Sequence, residues 1–306
     1  MILEDQIKAK MVYTDLSKYL NTTTLKFYRS AKRKDKLCEL DHIWDQSPLD
    51  YSSNFLQQFY TLKYTYAYAF EYKEMYRKVL SDYFDEIHGA PLRIESIGCG
   101  NLVDGWSLFS VLLEMVAELG IDLNLIDYKG IDKIEWKNPL LTRDHFINID
   151  AVKWFENKIS LDSNVYMFPK SIGDFPEVEF KRILQTFRTK KVSSKILYVM
   201  VSLRKRVKIS CTDLNRANEL NDIIVKRGYR CKRIEWLKSY NHNSINQLDG
   251  TLSYPDGLKN LLKSMKQRSV CKEFSNQKNT CKQCNIDRSP MLYADNLCFL
   301  IMRYER

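Results

Sequence analysis

The stretch RIESIGCGNLVDGWSLFSVLLEM, residues 93–115, constrains the fold of this chain more than any other. A short apolar run enters Gly98-Cys99-Gly100, and a run with helical periodicity, Trp106 to Val116, leaves it. Strand, glycine turn and helix in that order give a Gly-x-Gly its meaning, because the turn delivers free backbone N–H groups to the end of a strand. By itself the dipeptide spacing is equally that of an ordinary tight loop.

From residue 92 onward apolar runs of strand length alternate with helical patterns. Strands are expected over 93–97, 125–131, 146–149, 165–168, 195–202, 231–237 and 297–304. Helices are expected between them over 106–119, 151–159, 178–187 and 213–227, the last ending at Gly228. This rhythm predicts a doubly wound α/β sheet. The 306 residues suffice for one large domain or a core domain with a smaller addition.

The first 88 residues differ. Residues 51–86 contain no Gly or Pro, and Tyr60, Tyr64, Tyr68, Tyr72 and Tyr76 recur every fourth position. Each step advances the stripe by about 40° around a helix, so it winds slowly over one side. A packing face against the main domain is the expectation, and a stacking platform for bases is the alternative. HGAPLR at 88–93 breaks the helix. The expected organisation is a helical N-terminal cap over 1–90 and a Rossmann-like domain over 91–306, with an insertion at about 238–296.

The acids at the strand ends give the glycine turn a purpose. Asp132 follows the second expected strand in DYKGIDKIEW, and Asp150 follows the third in FINIDAVKWF. A nucleotide-like ligand needs a carboxylate for its ribose hydroxyls and an acceptor for its base amine, beyond the carboxyl ends of the strands. Each acid alone also suits a helix cap or a surface charge.

With SIGCG, YKGID, INIDA and NVYMFPKSIGDFP in this order, residues 92–304 resemble a class I S-adenosylmethionine-dependent methyltransferase. The stretch from KISCTDLN to RIEWL, together with NLCFLIMRYE, is similar to that fold's fifth helix, sixth strand and antiparallel seventh strand. The resemblance implies seven strands, mostly parallel, with S-adenosylmethionine as cofactor. By position, Gly98 and Gly100 would border its methionine part, Asp132 the ribose and Asp150 the adenine. The acid usual two residues before the first glycine is Ser96 here, with Glu95 one place earlier, and both join the candidate cofactor set. The third glycine of Gly-x-Gly-x-Gly is Leu102. A dinucleotide fingerprint fails, because position 103 is Val.

For catalysis the resemblance points to the residue after the fourth strand, where FPKS stands. Lys170 has two readings there: a base for an acceptor hydroxyl, or a solvent-facing or phosphate-binding cation. The chain lacks both the Asp/Asn-Pro-Pro-aromatic motif of base amino-group methylation and any Pro-Cys. Amines and ring nitrogens need little base help, so methyl transfer remains open.

Charge suggests the partner. Residues 181–306 hold 27 Lys and Arg against 10 Asp and Glu, or +17, which leaves −7 for residues 1–180 of the +10 total. Such polarity predicts an anionic partner, with RNA favoured over DNA. Candidate phosphate contacts are Arg204, Lys205 and Arg206 after the fifth strand, and Lys259, Lys263 and Lys266 at helical spacing in the insertion. Cys271, Cys281 and Cys284 include a Cys-x2-Cys knuckle, so structural zinc and free thiols both remain readings, with no fourth ligand assigned. No apolar run approaches the length of a membrane span, and the N-terminal MILEDQIKAK does not resemble a signal peptide, so a cytoplasmic protein is expected.

The favoured function is methyl transfer to nucleic acid. Two others stand beside it: a nucleic-acid-binding protein that has lost transfer activity, and a methyltransferase for small molecules or proteins.

Overall fold

The computed structural model describes residues 3–31, 51–86, 91–119, 126–204, 207–233, 246–247 and 297–306. Its helices are α1 (Leu3–Ala9), α2 (Leu16–Ala31), α3 (Asn54–Glu86), α4 (Val103–Leu119), α5 (Ala151–Asn157), α6 (Glu177–Thr189) and α7 (Val207–Lys226). The strands are β1 (Leu92–Ile97), β2 (Ile126–Asp132), β3 (Phe146–Asn148), β4 (Ser160–Leu161), β5 (Val165–Pro169), β6 (Lys191–Val192), β7 (Ile196–Arg204), β8 (Arg230–Arg233), β9 (Asn246–Gln247) and β10 (Leu297–Glu305). All seven expected strands form. The two-residue pair β4–β6 and the short β9 carry too little pattern to be read from sequence.

The main sheet has the order β3-β2-β1-β5-β7-β10-β8, with β9 added on β10. Its strands are parallel except β10, which runs antiparallel to both β7 and β8. The order reverses between β1 and β5, so the crevice for a ligand opens there, beyond the carboxyl ends of the strands.

Both faces of the sheet are covered, which explains the unbroken apolar runs in β5 and β7. Val165, Met167, Tyr198 and Met200 point to one face, with α1 to α4. Tyr166, Phe168, Leu197, Val199 and Val201 point to the other, with α5 to α7. The N-terminal helices therefore share one core with the sheet. Helix α3 spans about 50 Å at the usual rise, and it packs against α2, α4 and β10.

The tyrosine stripe of α3 is a packing face. Tyr64 and Tyr68 stack at 5.3 Å between centroids, and Tyr60 lies 5.0 Å from Tyr64. Tyr72 and Tyr76 are buried against the sheet side. Among the described residues no helix is long and apolar enough to cross a membrane.

Candidate functional site

The turn after β1 is built from left-handed backbone. Gly98, Gly100 and Leu102 have φ of +71°, +57° and +63°. At Gly98 a side chain is excluded sterically as well, since its Cβ would lie 2.6 Å from Cβ of Ser171, on the turn after β5. The two turns that flank the switch point thus touch through a glycine.

Leu102 occupies the left-handed position where the family pattern has a third glycine. That conformation costs a residue with a Cβ roughly 1–2 kcal/mol. The offset comes from β2: Gly130 has no side chain, and a Cβ there would lie 2.3 Å from Cδ2 of Leu102. Leu102 is wholly buried in the space so provided. The departure at 102 is compensated at 130, and the turn keeps its shape.

Asp132, the last residue of β2, faces this turn. Its Oδ2 accepts from the Gly100 N–H at 2.9 Å and its Oδ1 from the Ile134 N–H at 2.8 Å. Burial pushes its carboxyl up, and the two N–H groups oppose that shift. Each oxygen accepts one of these bonds, which leaves a second lone pair for a ligand hydroxyl. Trp136 stands next to it. Its indole Nε1–H is buried beside the Asp132 carboxylate and favours its ionised form as a hydrogen-bond donor. The indole also lies against the position a Gly100 side chain would take, and its rings meet Tyr51 and Tyr60 at 5.7 and 5.6 Å. Sequence reasoning missed Trp136; the only signal was a lone tryptophan four residues after the acid.

Asp150 caps α5, its Oδ1 accepting from the N–H groups of Val152 and Lys153 at 2.9 and 3.3 Å. Both bonds fall on one oxygen, so Oδ2 keeps its capacity. The helix-cap and base-acceptor readings of Asp150 are therefore compatible.

The other candidates are held elsewhere. Glu95 points to the opposite face of β1 from Ile94 and accepts from Trp154 Nε1, Lys158 Nζ and Ser163 Oγ at 2.9, 2.6 and 2.7 Å. It leaves the cofactor set, because alternation along a strand turns it away from the turn. Ser96 faces the other side of the strand from Glu95, where it is wholly buried beside Asp104.

Lys170 follows β5 in a left-handed conformation, φ +59°. Its ammonium is buried and donates to Glu71 Oε2 at 2.8 Å, Glu71 Oε1 at 3.1 Å and the Leu203 carbonyl at 2.6 Å. Glu71, on α3 and fully buried, also accepts from Ser202 Oγ. The Lys170 ammonium also lies over the Tyr68 ring. Lys170 is not solvent-facing: its donors are committed to the cap helix and to β7.

Arg204 is likewise turned inward. Its Nη2 and Nε reach Asp213 Oδ1 and Oδ2 at 2.6 and 3.1 Å, and its Nη1 pairs with Asp174. Two carboxylates occupy the fork a phosphate would need, which corrects the expectation for Arg204. Lys205, Arg206, Lys259, Lys263, Lys266, Cys271, Cys281 and Cys284 lie outside the described residues. Among the described residues no group of three His, Cys, Asp or Glu could hold a metal ion.

Neither the sequence models of known families nor the curated proteins match the chain. Solved structures do match in outline. A plantazolicin methyltransferase in complex with a triazolic desmethylPZN analog and SAH is 12% identical at a TM-score of 0.38, covering 95% of this chain and 99% of its own. A SAM-dependent methyltransferase from Archaeoglobus fulgidus is 13% identical at 0.33, covering 76% and 94%. The magnesium protoporphyrin IX methyltransferase from Synechocystis PCC 6803 is 11% identical at 0.33, covering 78% and 80%. At these values the functional reading rests on the geometry of the site itself.

Proposed function

We propose that this chain, with its Rossmann-like methyltransferase fold, transfers a methyl group from S-adenosylmethionine to an acceptor. The observation that carries the reading is the Gly98–Leu102 turn at the switch point, closed by Asp132 through the Gly100 N–H. The acceptor set fits the cofactor: Asp132 for the ribose hydroxyls and Oδ2 of Asp150 for the adenine amine, both beyond the carboxyl ends of the strands. Bound there, the cofactor supplies an electrophilic sulfonium methyl.

What the chain's own residues contribute is placement. Glu71, itself held by Ser202, and the Leu203 carbonyl hold Lys170 still, so the backbone after β5 presents a fixed wall to the acceptor. Proximity to the methyl then provides the acceleration. That requirement favours an acceptor already nucleophilic at neutral pH, such as an amine or a ring nitrogen.

The +17 of residues 181–306 favours an anionic acceptor, and within this proposal RNA is that acceptor. Calorimetric titration of the folded protein with S-adenosylmethionine tests the cofactor. Saturable one-to-one binding is expected, followed by label transfer from methyl-labelled cofactor to an RNA pool. Binding without transfer to RNA, but with transfer to small amines or peptides, would replace the acceptor. No binding, with or without RNA present, would sink the methyltransferase reading and leave an RNA-binding module.

A further inference from the structure

A continuous row of aromatic rings bridges the two turns that flank the switch point. It starts at Trp136, whose indole lies against Gly100. Tyr51 and Tyr60 meet that indole at 5.7 and 5.6 Å and each other at 5.3 Å. Tyr64 follows 5.0 Å from Tyr60, and Tyr68 lies nearly parallel to Tyr64 at 5.3 Å. The row ends just after β5, where the Lys170 ammonium stands 5.3 Å from the centre of the Tyr68 ring. Helix α3 and the turn before it thus carry one wall from the glycine turn to the turn after β5.

The hydroxyls of this wall differ from those deeper in the stripe. There the Tyr76 hydroxyl is buried against Asp104 and that of Tyr72 against Ser202. The hydroxyls of Tyr51, Tyr60 and Tyr68 make no hydrogen bond among the described residues, and each of these residues keeps part of its surface exposed. The unbonded hydroxyl of Tyr166, by contrast, is sealed in the core. The three oxygens also converge. Asp174, on the turn after β5, and Tyr64 act electrostatically on both Tyr51 and Tyr60, Asp132 acts on Tyr51, and Tyr60 and Tyr64 act on Tyr68. Burial above all pushes the three phenols up, so each keeps its proton and can donate it. Lys170 and Arg204, the cations beside them, are committed to Glu71 and to Asp213 and Asp174. A space with neutral donors and paired cations suits an uncharged group with lone pairs, not a phosphate.

We propose that this wall positions the methyl acceptor, and that the acceptor is a single unpaired nucleobase whose carbonyl and ring-nitrogen atoms accept from Tyr51, Tyr60 and Tyr68. The proposal rests on the methyl-transfer reading and deepens it. Rings along the wall match the flat faces of a base, and phenol donors match the acceptor atoms on its edge. An alkylammonium group has no lone pair to offer the phenols. A base within a duplex has that edge occupied, so the acceptor is presented from a loop or a single strand. The tyrosines are positioning residues: they orient the acceptor atom and, being protonated, take no proton from it.

The test is calorimetry on the full chain in excess S-adenosylhomocysteine, which keeps the proposed adenine site filled, with adenosine, guanosine, cytidine, uridine and ribose 5-phosphate as probes. At least one nucleoside should bind, about tenfold or more tighter than ribose 5-phosphate. Tyr60→Phe and Tyr68→Phe each remove one hydroxyl and keep the ring. Each should weaken that nucleoside about fivefold, while S-adenosylhomocysteine affinity and melting temperature match the parent. Binding of S-adenosylhomocysteine without any nucleoside, equal nucleoside affinity in both Phe variants, or ribose 5-phosphate binding as tightly as the nucleosides would each overturn the base site and leave methyl transfer standing. Joint loss of nucleoside and S-adenosylhomocysteine affinity in the variants would make the tyrosines structural and overturn it too. Nucleoside binding that needs both hydroxyls, in protein that does not bind S-adenosylhomocysteine, would keep the base site and remove the methyl-transfer reading.

Discussion

Two carboxylates stand at the carboxyl end of the sheet and are completed in opposite ways. Glu71 meets a cation and a hydroxyl: Lys170 at 2.8 Å and Ser202. Its charge is cancelled, and the cap helix is fastened to the ends of β5 and β7. Asp132 meets only neutral donors, the Ile134 and Gly100 N–H groups at 2.8 and 2.9 Å and the indole N–H of Trp136 beside it. Glu71 is fully buried and closed by an ion pair, whereas Asp132 is half-buried and keeps lone pairs for a ligand. The difference lies in what each leaves unsatisfied.

The comparison can be broken at either carboxylate. Glu71→Ala leaves a buried ammonium without its partner, and a loss of about 3–5 kcal/mol in urea unfolding is expected. A Glu71→Ala/Lys170→Met double variant should recover most of that loss, since an apolar pair replaces an ion pair at little cost. Unchanged stability in Glu71→Ala would mean that the pair does not fasten the cap. For Asp132→Ala the expectation is reversed. Affinity for S-adenosylmethionine should fall about 100-fold, close to 2.7 kcal/mol, while unfolding stability falls by less than in Glu71→Ala. A stability loss with cofactor binding intact would turn Asp132 into a second structural clamp.

A third buried acid sharpens the contrast. Asp104, in the first turn of α4, is pushed by burial to a pKa of about 6, with Tyr128 donating to its Oδ2 at 2.9 Å and its Oδ1 unpaired. A carboxyl whose folded pKa exceeds its unfolded value of about 3.9 makes the folded state bind the extra proton. Its contribution is therefore fullest below about pH 4, declines as pH rises to about 6, and is constant above. In Asp104→Asn this decline should vanish, so the variant gains on the parent by at most roughly 2–3 kcal/mol between those limits. A flat difference across pH 4–6 would place the Asp104 titration elsewhere.

The smallest effect is expected at Trp136. Replacing it by Phe keeps the packing against Tyr51 and Tyr60 and removes the N–H that favours the ionised Asp132. Stability should stay within about 1 kcal/mol of the parent, while cofactor affinity falls about fivefold. Equal affinity in Trp136→Phe would show that the indole N–H does not act on the ligand through Asp132.

Much of the fold was legible because its signals are local. Apolar runs of strand length marked seven strands. The acids at the ends of β2 and β3 could be found by counting from strand ends. Residues that act through distant partners were not legible. Glu71 and Lys170 are 99 positions apart, and Lys170 alone reads as a base or as a solvent-facing or phosphate-binding cation. Arg204 in LRKRVK reads as one of a basic run until Asp174 and Asp213 are brought to it. Leu102 reads as a defect in the turn until Gly130 is seen to make room for it.

The sequence by itself therefore determined where strands, helices and the glycine turn lie, and which acids stand at the strand ends, because periodicity and turn chemistry act over a few residues. Tertiary structure alone decided which polar groups are saturated and which keep a free lone pair or hydrogen. Glu95, Lys170 and Arg204 found partners on other elements, whereas Asp132 retained unfilled capacity beside the turn. Hydrogen-bond capacity is used up by whatever packing brings near, so a residue's availability for chemistry is a property of the folded arrangement.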